Sequence, residues 1–191
     1  MRTILKLHLT LGEIELPLID VDVQTFIPGV DNEPWLALNN RIFADHPDQG
    51  GWQMEDLTNR MAEAWFDPKG FFIAKKNGAM IGFCWTKIHH DLKRQGPVGE
   101  IYVLGVDKAH SPKGLGKSLA TLGLQYFKAL GINESMLYVD ADNAAALKVY
   151  KDLGFNKRRL NQHTSHGMPR YVHQYLLQLY LAIPKPYCGM A

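Results

Sequence analysis

Two glycines and two lysines stand together in Lys113-Gly114-Leu115-Gly116-Lys117. An apolar run ending Val103-Leu104-Gly105-Val106 leads into this loop. Beyond Gly114, Leu115, Leu119, Leu122, Tyr126 and Leu130 recur at helical spacing, and Gly131 follows as a stop signal. A strand therefore feeds a short loop, and the loop feeds a helix. The first-turn amides of such a helix lack intrahelical acceptors, and its dipole favours an anion there. Glycine lets backbone approach a diphosphate without interference from Cβ, and lysines add charge beside it. Other phosphate loops fit worse: Ala109 stands where a P-loop needs its first glycine, and Leu119 stands where a dinucleotide fingerprint needs its third. The loop predicts a pyrophosphate-bearing ligand, with neither nucleotide hydrolysis nor dinucleotide oxidoreduction favoured.

A second group has acid–base chemistry. Glu100 opens a central strand and can take a proton directly or through one water. Tyr150 lies two turns into a helix that starts near Asn143. Each reads equally well as ordinary structure: Glu100 as a solvated strand-end acid, Tyr150 as a core tyrosine, Asn143 as an N-cap. Gly105, inside a strand, is a bulge signal that would expose backbone N–H and C=O groups.

The elements that must carry these residues are legible from periodicity and turn chemistry. A strand ends at Thr25-Phe26-Ile27 before Pro28-Gly29, and Asp31 or Asn32 caps a helix bearing Trp35, Leu38 and Ile42. A second helix is expected from about Glu55 to Trp65, and Asp67-Pro68-Lys69-Gly70 reads as a turn. Asn77-Gly78 joins two strands as a type I′ hairpin. Strands follow at Glu100–Val106 and Met136–Asp140, with a helix between them. The next helix has Ala146, Val149, Tyr150 and Leu153 on its inner face. A final strand pair is expected between Phe155 and Ile183. The order predicts one mixed α/β sheet with helices on both faces. At 191 residues the chain holds one such domain with a little over. The division expected is an N-terminal segment over 1–24, a remnant of an upstream domain junction, and a domain over 25–191.

A net charge of +2 gives no argument for nucleic acid or membrane binding. No apolar run of transmembrane length and no secretory signal is read. Cys84 and Cys188 stand alone, as reduced cytosolic thiols, and no His or Cys spacing predicts a metal.

The glycine loop resembles that of the GNAT superfamily of N-acetyltransferases, whose pyrophosphate pattern [QR]-x-x-G-x-[GA] is met by Ser111-Pro112-Lys113-Gly114-Leu115-Gly116. Ser111 departs from the usual Gln or Arg, and Pro112 removes one amide donor. The stretch Asn143-Ala144-Ala145-Ala146-Leu147-Lys148-Val149-Tyr150-Lys151-Asp152-Leu153-Gly154-Phe155 resembles the same superfamily's Asn-x-x-A-x-x-x-Y-x-x-x-G-F. The resemblance implies a GNAT-like mixed sheet with two splayed parallel strands, and acetyl-CoA as acetyl donor. It assigns Ser111, Lys113, Gly114, Leu115, Gly116 and Lys117 to the pyrophosphate, and Leu104, Gly105 and Val106 to the pantetheine and thioester. Asn143 and Lys148 join them as cofactor-binding residues, and Tyr150 becomes the general acid.

Several blocks look more narrowly like the mycothiol synthase family: His46-Pro47-Asp48-Gln49-Gly50, Trp65-Phe66-Asp67-Pro68, Trp85-Thr86-Lys87, Gly99 to Asp107, and Tyr138 to Asn143. That family acetylates the cysteinyl amine of cysteinyl-glucosaminyl-inositol, giving mycothiol, a cytosolic thiol. The resemblance makes Glu100 the general base and places Asp48, Lys87, Glu100 and Tyr138 against the substrate. It implies a cytoplasmic enzyme with a small-molecule amine partner and no metal; oligomeric state is left open. Mycothiol synthases carry two tandem domains and this chain has room for one. Acetylation of another small amine or a protein N-terminus therefore stays as an alternative, as does a non-catalytic acetyl-CoA-binding module.

Overall fold

The structure is a computed structural model that describes residues 2–12, 21–46, 48–90 and 96–157. The strands are β1 (Ile4–Thr10), β2 (Asp22–Thr25), β3 (Phe71–Lys76), β4 (Ala79–His89), β5 (Val98–Val106), β6 (Glu134–Asp140) and β7 (Asn156–Lys157). The helices are α1 (Asn32–Ile42), α2 (Met54–Met61), α3 (Leu115–Ala129) and α4 (Ala144–Asp152), with a 3-10 turn at Pro68–Gly70. One sheet runs in the order β2-β3-β4-β5-β6-β1-β7. All pairs are antiparallel except β5–β6. The mixed α/β architecture expected from the sequence is present.

The hairpin between β3 and β4 turns on Asn77 and Gly78, both at positive φ (51° and 79°), as a type I′ turn requires. Beyond the sheet's center the expectations need correction. Asp31 sits at the α1 N-cap, but its side chain makes no cap. Its Oδ2 instead accepts the Ile27 N–H at 2.9 Å, and its Oδ1 pairs with Lys75 Nζ at 3.3 Å. Asn32 likewise accepts backward, from Gly29 N–H. The second helix stops at Met61 rather than Trp65. Glu63 and Phe66 amides bond three residues back in successive turns, which carries Trp65 off the helix and onto Trp85 and Tyr102. The bulge lies at Tyr102, not Gly105: Trp85 pairs with Val103 and Thr86 with Ile101, so Tyr102 is the extra residue. Gly105 pairs regularly with Phe83. It is glycine because a Cβ there would lie 2.7 Å from the Phe83 ring. The strand pair expected between Phe155 and Ile183 is seen only as β7; the rest lies outside the described residues.

Two cores sit on opposite faces of the sheet. One face buries Cys84, Ile101, Leu137 and Val139 with Leu119, Leu124 and Phe127 of α3 and Tyr150 of α4. The other is aromatic, with Trp35 of α1 and Leu57 of α2 against Phe71, Phe83 and Trp85. Phe71 stacks between Phe26 and Trp85 at centroid distances of 4.4 and 4.5 Å. Such pairs add to the burial of large rings.

β1, from the segment expected as a junction, lies in the sheet and pairs with β6 over its whole length. An ionic cluster fastens its start. The Arg2 guanidinium bridges Asp48, in the α1–α2 loop, and Asp140, at the end of β6. His46 Nε2 joins Asp140 at 3.3 Å, and its Nδ1 accepts the Asp48 and Gln49 amides. The Arg2 hydrogen bond, with its charge and that of His46, holds the Asp140 carboxyl below the usual range against the opposing effect of burial.

Two outcomes test this account. G105A should lower stability by about 1–3 kcal/mol in urea denaturation through collision with Phe83. G116A, whose added Cβ meets only Val106 at 3.5 Å, should cost less. Asp140 titrates lower in the native state than the unfolded value of ~3.9, so its contribution is present above that value and lost as pH falls through the native one. The stability gap between wild type and D140N should therefore be full at neutral pH and close in acid. A gap independent of pH would contradict the ion-pair assignment.

Candidate active site

The glycine loop begins where β5 ends. Asp107 N–H donates to Ile81 C=O, and the Asp107 carboxylate receives Arg41 of α1, His110 and the Ala109 N–H. Burial opposes its charge, but His110, Arg41 and the Ala109 amide together hold its carboxyl below the usual range. Ser111, expected to face the cofactor, donates its hydroxyl to Ile81 C=O at 2.8 Å and so pins the loop to β4. Gly114 is the α3 N-cap at φ 90°, ψ −10°, a left-handed conformation open to glycine. Nothing lies within 4 Å of a Cβ built on Gly114. The Leu115 amide is engaged, donating to Pro112 C=O at 3.3 Å. Gly116 and Lys117 follow in the first helical turn, where amides have no partner four residues back. Lys113 is exposed and Lys117 half-buried at this end. These residues suit an anionic diphosphate: open space, two outward first-turn amides and two cationic side chains.

The neighbouring feature is a parting of strands. β5 and β6 pair only through Gly99–Ile101 and Ser135–Leu137. From Tyr102 to Val106 and from Tyr138 to Asp140 the two strands no longer pair with each other, so Leu104, Gly105 and Val106 line one bank. The other edge of each strand stays bonded, to β4 and to β1.

On the aromatic face, three of the four expected substrate residues come together. Lys87 is directly across from Glu100, and Glu100 is in register with Met136, two residues before Tyr138. Glu100 is only 2 % exposed. Lys87 Nζ lies 4.6 Å from the Trp65 ring centroid and 5.8 Å from that of Tyr102. Burial lowers the Lys87 pKa, and the Glu100 charge works the other way. Tyr138 is pushed up to about 12 by burial and by Glu100. Asp48 belongs to the separate Arg2–Asp140 cluster described above.

Tyr150 is buried on the other face, edge-on to Phe155 at 5.8 Å between ring centroids. Burial, then the nearby Cys84, pushes its phenol well above the ordinary value, so it stays protonated. Asn143 caps α4 by accepting the Ala146 N–H at 3.1 Å. Lys148 is exposed and paired with Asp152.

Sequence reasoning missed Arg2, Lys6, His89 and Tyr102. His89 Nε2 meets Glu100 Oε2 at 2.5 Å. Its step of two from Lys87 along one strand was the available signal. Lys6 lies over the Tyr138 ring at 5.4 Å. No signal marked Arg2 or Lys6, because their strand was read as a junction.

Comparison with known proteins identifies the family and the fold. The Acetyltransferase (GNAT) family matches residues 35–155. The mycothiol acetyltransferase of Thermobispora bispora is 50% identical over 138 residues, covering 72% of this chain and 47% of the relative. That of Streptomyces avermitilis is 51% identical over 147 residues, covering 77% and 46%. The chain thus spans about half the length of these relatives. Among solved structures, a GCN5-related N-acetyltransferase from Sphaerobacter thermophilus superposes with TM-score 0.64 at 22% identity, over 82% of this chain and 49% of that one. An AAC(6')-Iy structure in complex with a CoA-based bisubstrate analogue gives TM-score 0.60 at 22% identity, over 78% and 100%. The fold is shared with both. The chain belongs to the acetyltransferase (GNAT) family.

Proposed function

We propose that this chain carries the acetyl-transfer site of a mycothiol acetyltransferase, moving acetyl from acetyl-CoA to the cysteinyl amine of cysteinyl-glucosaminyl-inositol. The observation that carries the reading is the parting of β5 from β6 with Glu100 buried on one face and Tyr150 on the other. The relatives' name, mycothiol acetyltransferase, together with the resemblance of the sequence blocks to that family, is what points to the substrate. In this reading the cytoplasm is the compartment, and a small amine is the partner.

Acetyl-CoA supplies the activated acyl carbon. The first-turn amides at Gly116 and Lys117, with Lys113 and Lys117, hold its pyrophosphate end. Backbone groups of Leu104, Gly105 and Val106, unpaired toward β6, meet its amide-bearing arm. Glu100 removes a proton from the acceptor ammonium, and the neutral nitrogen attacks the thioester carbon. As the new N–C bond forms the C–S bond breaks and the departing sulfur takes the Tyr150 proton; the second proton lost from nitrogen as the amide becomes neutral restores the phenol, leaving one net proton on Glu100 to pass to solvent. The environments fit these tasks: Glu100 lies against Lys87 and His89, and burial keeps the Tyr150 phenol protonated until the leaving thiolate forms beside it. Lys87 and Tyr138 border the acceptor beside Glu100. Asp48, neutralised by Arg2, serves the polyol end only if that bridge opens.

E100Q and Y150F should each lower kcat about 10²–10⁴-fold, measured as coenzyme-thiol release with cysteinyl-glucosaminyl-inositol. Both variants should keep the acetyl-CoA dissociation constant of wild type. Turnover at the wild-type rate in either would remove that residue from its role. Cofactor binding without thiol release on any amine would identify a binding module instead.

A further inference from the structure

His89 is given no role of its own above, yet its Nε2 lies 2.5 Å from Glu100 Oε2. We infer that His89 is a positioning residue for the acetyl-transfer base, acting through Glu100; the inference rests on the general-base reading proposed above.

Glu100 has 3 % side-chain exposure and His89 14 %. A carboxylate taken this far from water stays ionised only with a partner. β4 offers two. Lys87 faces Glu100 directly, with its ammonium seated over the Trp65 and Tyr102 rings. His89 is paired with Val98, which makes it the diagonal neighbour of Glu100 on the same face. From there its Nε2 reaches Oε2 at 2.5 Å. With the proton on Nε2, the imidazole donates to the carboxylate and fixes which way it turns. A neutral ring does this without adding a permanent charge. A lysine or arginine at 89 would hold the carboxylate equally well but depress its basicity.

Among the described residues, the other ionisable groups facing this pair are Lys87 of β4, Tyr102 of β5 and Tyr138 of β6, with Arg60 and Glu63 coupled to Lys87 and Tyr102. None of them is altered by substitution at 89.

The test measures kcat and KM across the neutral pH range for wild type, H89A, H89Q, E100Q and the H89A/E100Q double variant of the full chain, by coenzyme-thiol release, with thermal midpoints as a check on folding. H89A should lose roughly tenfold in kcat with KM for acetyl-CoA unchanged. H89Q keeps an N–H donor at the same reach and cannot take up a proton. It should restore most of the kcat that H89A loses. The double variant should be no slower than E100Q alone, because a residue acting through Glu100 has nothing left to act on. The inference is overturned if H89A turns over like wild type, if H89Q is as poor as H89A, or if the two losses multiply. Multiplied losses would leave Glu100 as base and remove only His89. Wild-type turnover by E100Q would instead remove the base assignment, and the role of His89 with it.

Discussion

Everything at this site depends on one shared strand edge being bonded for only part of its length. β5 and β6 are held together by three residues each and then separate. A sheet tolerates an open seam at its center only if both strands are secured elsewhere. Here β5 is paired with β4 from Val98 to Val106, and β6 with β1 from Glu134 to Asp140. The extra residue at Tyr102 falls where the seam begins to open. Buried backbone polar groups must be satisfied, so the banks of the seam favour a ligand rich in amides. The α3 N-terminus lies at the end of the same strand, so one element, β5 with its following loop, defines both the cradle and the seam.

The second requirement is a charge balance on the aromatic face. Glu100 is among the most buried acids of the described residues, and the sheet surrounds it with Lys87, His89 and Tyr138 through register alone. The aromatic wall of Trp65, Tyr102 and Trp85 excludes water and lowers the Lys87 pKa, while the negative charge of Glu100 raises that of Tyr138. Each group therefore changes the proton affinity of the next. The opposite face is apolar, and there burial keeps Tyr150 protonated. Glu100 and Tyr150, the two groups proposed to handle protons, lie on opposite faces of the sheet.

Much of this was legible from residue types, for local reasons. Asn77-Gly78, Gly114 and Gly154 adopt the positive φ that makes such residues informative. The α3 stripe holds at Leu115 and Leu119, which are buried, but Leu130 is exposed past the helix end and Leu124 and Phe127 fill the core instead. What escaped was set by long-range pairing. β1 is a strand because β6 needs a partner, and nothing in Ile4–Thr10 announces which strand that is. Asp31 and Asn32 have cap chemistry, but tertiary partners at Lys75 and the preceding turn recruit their side chains. Trp65 has helical spacing with Leu57 and Met61, yet burial against Trp85 outweighs one more turn of helix. Gly105 reads as a bulge, whereas the close approach of Phe83 explains it. At the candidate site the motif residues stand out by type and spacing, whereas His89 becomes visible only once β4 and β5 are in register.

The most direct measurement is a crystal structure with a non-hydrolysable acetyl-CoA analogue. The account predicts the pyrophosphate at Gly116 and Lys117 amides, and the acyl group between Tyr102–Val106 and Tyr138–Asp140, with its carbonyl carbon on the Glu100 side and its sulfur toward Tyr150. An analogue bound anywhere else, with β5 and β6 closed on each other, would contradict it.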